Sequence, residues 1–237
     1  MAQEMAQNSR SNAAMTRVLP GLEADLADAG LELGARVFIR TFKAENELEV
    51  WLQSPQDSLD QGIYEKLRTY SICAWSGDLG PKNSEGDGQT PEGFYFVTPN
   101  RMKPDSDFYL SFNLGYPNAY DRQHGRTGSF LMVHGDCASV GCFAMGDLEM
   151  LDEEAGNDPI REIWTLMTKA FASGQPYVRV HAFPFRMSES NMEAQKNHEW
   201  VDFWMNLKEG YDAFEATHRP PNTTVRAGRY VFTAESP

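Results

Sequence analysis

The sequence predicts a mainly β fold with peripheral helices, an α+β architecture in which a β-sandwich or partly closed barrel carries helices near its C-terminus. Two observations support this prediction. Short runs of β-branched and aromatic residues, separated by turn residues, recur from residue 35 to residue 145. Longer segments with helical spacing follow from residue 158 onward. Chains that place strands first and helices later are typical of α+β folds.

The N-terminal part is predicted to be a tail followed by a helix. Residues 1–16 are polar and rich in small side chains, which predicts a mobile tail. Leu22, Leu26 and Leu31 then recur at near-helical spacing among acidic residues. This pattern predicts a short amphipathic helix over residues 19–31 that ends at Gly34.

Strands are predicted along the next part of the chain. The apolar runs 37–40 and 48–52 are separated by a polar stretch, which predicts a strand–turn–strand unit. Residues 78–89 and 115–128 are rich in turn-forming residues, which predicts long loops. Further strands are predicted within residues 64–75 and over residues 94–97, 109–114, 130–133 and 177–183.

Helices are predicted in the C-terminal part. Asp158 can cap a helix that has Pro159 in its first turn and runs through Phe171, and Gly174 can close it. Residues 191–214 carry aromatic side chains at helical spacing, which predicts one or two helices whose aromatic stripe packs in the core.

Composition limits the function classes that need to be considered. The chain has 237 residues, of which 41% are hydrophobic, enough for one domain with a sizeable core. Its formal net charge of −13 argues against a nucleic-acid partner, whose phosphates require a basic face. No run of apolar residues is long enough to predict a membrane span, and residues 1–17 lack the apolar centre of a secretory signal.

The most informative segment joins His134 to Cys142. His134 closes the apolar run 131–133 and precedes Gly135, while Gly141 precedes Cys142 in a Ser-Val-Gly-Cys turn. A cysteine nucleophile needs a nearby imidazole to hold it as thiolate, and backbone N–H groups for the oxyanion of a tetrahedral intermediate. The segment therefore predicts acyl transfer, with Cys142 as nucleophile and His134 as general base and then general acid. A buried structural thiol and a core histidine are the alternatives.

The other cysteines do not form a metal site. The three cysteines are too few for a disulfide framework and lack the spacing of zinc ligands, so no metal and no cofactor is expected. If Cys142 stays free, Cys73 and Cys137 either form a disulfide or remain two buried thiols. The sequence leaves both open.

The motif also carries a family resemblance. His-Gly followed by Ser-x-Gly-Cys resembles the signature of the L,D-transpeptidase catalytic domain (the YkuD domain), and the short interval from His to Cys resembles its YafK-like branch. The resemblance extends over roughly residues 35–215 and includes the segments 70–82, 90–95, 110–128 and 180–187. It implies a catalytic domain over residues 17–218, between the tail and a C-terminal extension over residues 219–237. The apolar run 230–232 in this extension is itself predicted to pack against the body.

The resemblance implies a set of site roles. The scaffold would be an L,D-transpeptidase-like β fold with the cysteine turn at one rim. The carbonyl of Gly135 would orient the imidazole, with the carboxylate of Asp136 as the side-chain alternative. Backbone N–H groups around Gly141 and Cys142 would be the oxyanion donors. Ser139 would support the turn or contact substrate.

Substrate-binding candidates lie before the active-site strand. Guanidinium groups suit carboxylates such as those of diaminopimelate, so Arg122 and Arg126 are predicted to contact substrate, with ordinary salt bridges as the alternative. Tyr116 and Arg186 are weaker candidates of the same kind.

Three functions remain open at this stage. Val140 and the apolar residues 143–145 depart from the polar pattern of ordinary L,D-transpeptidases, and the YafK-like branch shares these departures. The resemblance therefore favours a periplasmic amidase that cuts the link between a peptidoglycan stem peptide and an attached lipoprotein or outer-membrane barrel protein. The alternatives are a transpeptidase that forms 3-3 cross-links or attaches protein, and a non-catalytic module that binds the cell wall.

Overall fold

The structure is a computed structural model that describes residues 6–55, 62–146 and 158–233. The helices in these ranges are α1 (Ser9–Asp28), α2 (Ala119–Gln123), α3 (Pro159–Ala172), α4 (Glu189–Ala194) and α5 (Val201–Thr217). The strands are β1 (Val37–Phe42), β2 (Glu47–Gln53), β3 (Tyr64–Ser71), β4 (Gly93–Val97), β5 (Met102–Lys103), β6 (Ser111–Asn113), β7 (Met132–His134), β8 (Phe143–Ala144), β9 (Val178–Phe183), β10 (Asn222–Arg226) and β11 (Arg229–Thr233).

The strands form two main sheets and a hairpin. The larger sheet has the order β3-β2-β1-β9-β4, the smaller has the order β5-β6-β7-β8, and β10 pairs with β11. β1 is parallel to β9 and β7 is parallel to β8, while the remaining pairs are antiparallel. The α+β class predicted from the sequence is confirmed. Over the ranges that the structure describes, the sheets stay open and no barrel closes.

Both main sheets contribute to one apolar core. Ile39 and Val50 of the larger sheet share a buried cluster with Phe112 and Val133 of the smaller sheet and with Trp164 of α3. Alternating strand residues point to opposite faces. The second face of the larger sheet therefore packs separate aromatic clusters against α5. α3 is enclosed in the core, whereas the sequence placed all helices at the periphery.

The N-terminal helix begins earlier than predicted. α1 starts at Ser9, so residues 9–16 belong to a helix and not to a mobile tail; residues 1–5 lie outside the described part. Asn8 and Ser11 form a reciprocal capping box: Asn8 Oδ1 accepts the Ser11 N–H at 2.9 Å, and Ser11 Oγ accepts the Asn8 N–H at 3.0 Å. Small Ala14 belongs to the buried stripe, and Pro20 lies inside the helix. A small residue and an internal proline both weaken the helical signal in the sequence.

The helix α3 begins where the sequence predicts, but without the predicted cap. It follows Asp158, whose side chain makes no capping hydrogen bond and instead pairs with Arg161.

The C-terminal hairpin of β10 and β11 packs against the rest of the fold. The side chain of Asn206 in α5 accepts the Tyr230 N–H at 2.8 Å and donates to the Tyr230 carbonyl at 3.0 Å. The described part of the predicted C-terminal extension is therefore packed against the domain by α5.

A buried ion pair joins elements on both sides of the larger sheet. Lys43 Nζ lies 2.9 Å from Glu92 Oε1, and both side chains are fully buried. The ammonium also donates to the carbonyl of Gly80 at 2.9 Å, while Glu92 accepts the Gly80 N–H at 2.7 Å. The other carboxylate oxygen accepts from the indole of Trp204 in α5 at 2.8 Å. Burial lowers the pKa of Lys43, and the charge of Glu92 opposes that effect.

We expect Glu92→Leu to lower the free energy of unfolding by about 3–5 kcal/mol, because it leaves the buried Lys43 ammonium without a countercharge. Denaturation in urea measures this loss. The control is Glu193→Gln, which removes an exposed ion pair with Lys196 and should change stability by less than about 1 kcal/mol. Equal losses in the two variants would contradict the structural role of the buried pair.

Candidate active site

The pairing of β7 with β8 brings the predicted nucleophile and base together. Val133 lies opposite Phe143 and His134 opposite Ala144 in a parallel register, which places Cys142 beside Met132. The Cys142 sulfur accepts the Met132 N–H at 3.4 Å and lies 3.8 Å from the Phe130 carbonyl oxygen. In-register parallel neighbours, and residues two apart on one strand, share a face. Strand spacing then puts the Cα atoms of Cys142 and His134 about 8 Å apart on that face.

The His134 imidazole is oriented by a hydrogen bond to the neighbouring backbone. Its Nδ1 donates to the carbonyl oxygen of Gly135, because a carbonyl can only accept, and this leaves Nε2 with the free lone pair. The Phe108 ring packs against the imidazole with centroids 4.8 Å apart. Burial lowers the pKa of His134, although the Gly135 carbonyl and the charge of Asp136 oppose the shift. The carboxylate of Asp136 accepts the Cys137 N–H at 2.5 Å, so the geometry favours Gly135 as the orienting group.

Cys142 is held as a neutral thiol. Burial raises the pKa of the Cys142 thiol, while the Met132 N–H and the ammonium of Lys82 oppose the shift. The sequence argument expects an imidazole that holds the thiolate. The directions of the two pKa shifts instead favour a resting pair of neutral thiol and neutral imidazole, because both groups lose hydration on burial.

Hydroxyl groups brace the turn that carries Cys142. Ser139 Oγ accepts the Cys142 N–H at 3.1 Å and donates to the Cys142 carbonyl at 2.8 Å. Thr90 Oγ1 donates to the same carbonyl at 3.1 Å, and Ser76 Oγ accepts the Gly141 N–H at 2.6 Å. Both predicted oxyanion donors therefore donate to serine hydroxyls in this state. Ser139 contacts the backbone of the turn, the structural role that the sequence suggested.

Gly141 meets a strict steric requirement. Its φ is +95°, a left-handed conformation that side chains disfavour. A Cβ atom there would lie 3.0 Å from the Leu131 side chain and 3.3 Å from the Gln89 carbonyl oxygen. The loop 78–89 thus packs directly against the turn.

Three residues that influence the site were not singled out as site residues in the sequence. Ser76 and Thr90 flank the loop 78–89 and reach the turn only through the fold. Lys82 is held near the site by Asp87, whose carboxylate lies 2.5 Å from its ammonium. Burial raises the pKa of Asp87, but its bond to Lys82 and three backbone N–H groups outweigh that effect and lower it to about 2. The turn-rich composition of residues 78–89 predicted a loop there but did not indicate that the loop packs against the Cys142 turn.

The two remaining cysteines form a disulfide. Cys73 and Cys137 are bonded, with Cα atoms 5.4 Å apart, and Cys142 is the free thiol. The two inert buried thiols considered from the sequence are excluded. The disulfide ties the segment after β3 to the segment between His134 and Cys142. Among the described residues, no three His, Cys, Asp or Glu side chains come together as a metal-binding group.

None of the predicted substrate-binding residues hydrogen bonds to Cys142 among the contacts of the described residues. The Tyr116 hydroxyl is buried and donates to the Lys82 carbonyl at 3.1 Å. Arg126 is buried in an ion pair of 3.0 Å with Asp121. Arg122 is exposed and donates to the Pro117 carbonyl oxygen. The weaker candidate Arg186 pairs with Glu47 and Glu49.

Exposed apolar side chains, which we call the apolar rim, lie in the segments around Cys142 and His134. Phe130 is 74% exposed and Val140 is 85% exposed, and both lie in the segments that contact or precede Cys142. Phe108, which covers His134, is 43% exposed. In the described part of the chain only one other large apolar side chain, Met205, is comparably exposed.

Cys142 and His134 on one sheet edge, with a braced turn, form a candidate cysteine–histidine active site. No protein-family model matches the chain. Proteins named "Putative L,D-transpeptidase YafK" from Escherichia coli strains K12 and O157:H7 are 45% identical to it over 201 residues, which span 85% of this chain and 75% of theirs. The chain therefore belongs to the L,D-transpeptidase family.

Solved structures also resemble the chain. A single-residue variant of the helical cell shape determining protein Pgp2 from Campylobacter jejuni matches 90% of this chain and 68% of its own, with 19% identity and a TM-score of 0.45. Bd1075 of Bdellovibrio bacteriovorus matches 75% of this chain and 60% of its own, with 21% identity and a TM-score of 0.39. None of the helices in the described ranges is long and apolar enough to cross a membrane.

We expect the alkylation rate of Cys142 by iodoacetamide to rise with pH and to level off only above the ordinary thiol value of 9.0, because burial raises the pKa of this thiol. Lys82→Met should move the inflection to higher pH, since the ammonium stabilises the thiolate. Lys103→Met, at an exposed position on β5, should leave the profile unchanged. A plateau already reached below pH 7 would indicate a preformed thiolate–imidazolium pair and contradict the neutral resting state.

Proposed function

We propose that this chain is a cysteine-dependent peptidoglycan enzyme that forms an acyl-enzyme at Cys142 and hydrolyses the amide between a stem peptide and an attached protein. The observation that carries the proposal is the shared face of Cys142 and His134, where the Gly135 carbonyl leaves Nε2 unprotonated. Membership of the L,D-transpeptidase family supports peptidoglycan as the substrate.

Acylation follows from the neutral resting pair. As the Cys142 sulfur attacks the scissile carbonyl carbon, its proton moves to Nε2 of His134, so an S–C bond forms and an imidazolium results. The tetrahedral intermediate collapses when the C–N bond breaks, and His134 returns the proton to the leaving amine. The Gly135 carbonyl holds the Nδ1 proton throughout and stabilises the transient imidazolium.

The oxyanion site opens as substrate enters. The N–H groups of Gly141 and Cys142 now donate to the hydroxyls of Ser76 and Ser139. A developing oxyanion is a stronger acceptor than a neutral hydroxyl, so it can take over these donors. Both hydroxyls keep a second partner, since Ser76 donates to the Gly88 carbonyl and Ser139 to the Cys142 carbonyl.

Water is the proposed acceptor of the acyl group. Nε2 of His134 removes a proton from water as the oxygen attacks the thioester carbon. The C–S bond then breaks, His134 returns that proton to the departing sulfur, and a carboxylic acid and the free thiol result. The rim of Phe108, Phe130 and Val140 supports a protein-sized leaving group, because exposed apolar patches mark surfaces that contact other macromolecules. A terminal lysine of a lipoprotein or barrel protein would supply the leaving amine.

The second candidate is transfer of the same acyl group to an amine. The name of the E. coli relatives as L,D-transpeptidases favours it. The product would be a 3-3 cross-link or a newly attached protein. Acylation is identical in both reactions, so the acceptor alone separates them.

The remaining roles follow from the contacts. Tyr116 and Arg126 enter the proposal as supports of the loop 115–128, because their polar groups are engaged within the protein.

No cofactor or metal takes part in the proposed steps. A periplasmic location is proposed, since the disulfide between Cys73 and Cys137 suits an oxidising compartment.

We expect the protein to release free lipoprotein and unmodified tripeptide stems from lipoprotein-bearing sacculi that contain diaminopimelate, as measured by mass spectrometry. Cys142→Ala should abolish the reaction. His134→Ala should reduce turnover at least about a hundredfold, because it removes the general base. His124→Ala, at an exposed histidine, is the matched control and should retain activity.

The products distinguish the candidates. Accumulation of 3-3 cross-links or amine-exchanged stems without released protein would replace hydrolysis by transpeptidation. Undiminished binding of sacculi by Cys142→Ala, with no product from the folded wild type, would identify a binding module and reject the enzymatic proposal.

A further inference from the structure

A cavity lies on the side of the fold where the C-terminal hairpin meets the larger sheet. It has a volume of about 280 Å³ and lies between β4, the start of α2 and the strand β10. We call it the hairpin cavity and define it by Phe94, Phe96, Arg101, Asn118, Arg122 and Tyr230.

Two guanidinium groups line the hairpin cavity without a countercharge. Arg101 donates to the carbonyl oxygens of Phe96 and Leu114, and Arg122 donates to that of Pro117. Within the described ranges, neither guanidinium has a carboxylate at ion-pair distance. Arg122 is exposed, but Arg101 is half-buried, and other buried or half-buried arginines of this chain, including those at positions 40, 126 and 186, do have one.

The surroundings make this arrangement unusual for so acidic a protein. The chain has 34 acidic residues and a net charge of −13, yet no Asp or Glu in the part of the chain that the structure describes lines the hairpin cavity. Arg101 and Arg122 line the same cavity, and burial together with the charge of Arg122 lowers the pKa of Arg101. Like charges in a partly dehydrated cleft repel each other, and an anion between them relieves that repulsion.

The backbone is shaped to admit Arg101. Gly115 has a φ of +84°, and a Cβ atom there would lie 1.6 Å from Arg101 Nη1. Glycine at this position therefore allows the guanidinium to lie against the chain and face the hairpin cavity. On the opposite wall, Asn118 donates to the Tyr230 hydroxyl at 2.8 Å and fixes the hairpin against α2.

We propose that the hairpin cavity is a second ligand site, which binds an oxyanion on Arg101 and Arg122 separately from Cys142. Guanidinium groups bind carboxylate and phosphate through paired N–H donors. None of the residues that line the hairpin cavity is among those that hydrogen bond to Cys142 in the described structure. The apolar rings of Phe94 and Phe96 supply a wall for the group that carries the anion.

Carboxylate-bearing peptides and phosphate-bearing polymers share this chemistry, and two probes separate them. The full chain is titrated with glutarate and with inorganic phosphate at constant ionic strength, and its backbone amide resonances are followed. We expect saturable shifts at residues of the hairpin cavity with at least one probe. The tighter probe assigns the ligand class.

Variants test whether the two arginines hold the anion. Arg122→Gln should raise the dissociation constant at least about tenfold, since charge-assisted hydrogen bonds are lost. Arg17→Gln removes the same charge from an exposed position on α1 and should change it less than twofold. Arg101→Lys keeps the charge but loses the planar fork, and its amide spectrum reports whether it folds.

The proposal is independent of the acyl-transfer chemistry. Cys142→Ala should bind the probes as the wild type does, whatever the outcome with sacculi. Absence of saturable shifts with both probes, or equal weakening in Arg122→Gln and Arg17→Gln, would overturn the second site.

Discussion

The buried ion pair between Lys43 and Glu92 is the constraint on which the candidate active site depends. It fixes the start of the loop 78–89 at Gly80 and connects β1, β4 and α5 through one set of hydrogen bonds. The attraction between two buried charges offsets the cost of their desolvation only when their geometry is good. The pair therefore favours one arrangement of these elements. The same loop then presents Lys82 to the thiol and packs Gln89 against Gly141.

The turn that carries Cys142 is braced by parts of the chain that are distant in sequence. Ser76 precedes the loop 78–89 and Thr90 follows it, and both bond to the backbone of the turn. The disulfide between Cys73 and Cys137 closes the other side of the same assembly. The turn can thus hold Gly141 in a left-handed conformation while Cys142 remains partly open to solvent.

Burial sets the chemistry of the site. It raises the pKa of the Cys142 thiol and lowers that of the His134 imidazole, so both groups rest uncharged. A neutral imidazole can accept a proton, and a neutral thiol avoids the desolvation of an isolated anion. The side chains of the apolar rim next to this site are exposed to solvent, whereas the hairpin cavity is cationic. An apolar rim and a cationic cavity therefore lie on one acidic protein.

The sequence by itself determined the α+β class, most strands and the helix α3, and it predicted Cys142 and His134 as the catalytic pair, because periodicity, turn residues and a short motif are local signals. Tertiary structure decided the rest. Ser76 bonds to Gly141 across 65 positions and Thr90 bonds to Cys142 across 52, separations that no local pattern encodes. Arg122 and Arg126 look alike in sequence, yet one is exposed in a cavity and the other is buried against Asp121. Burial and partner charges, which fix their roles and the pKa values of the site, exist only once the chain has folded.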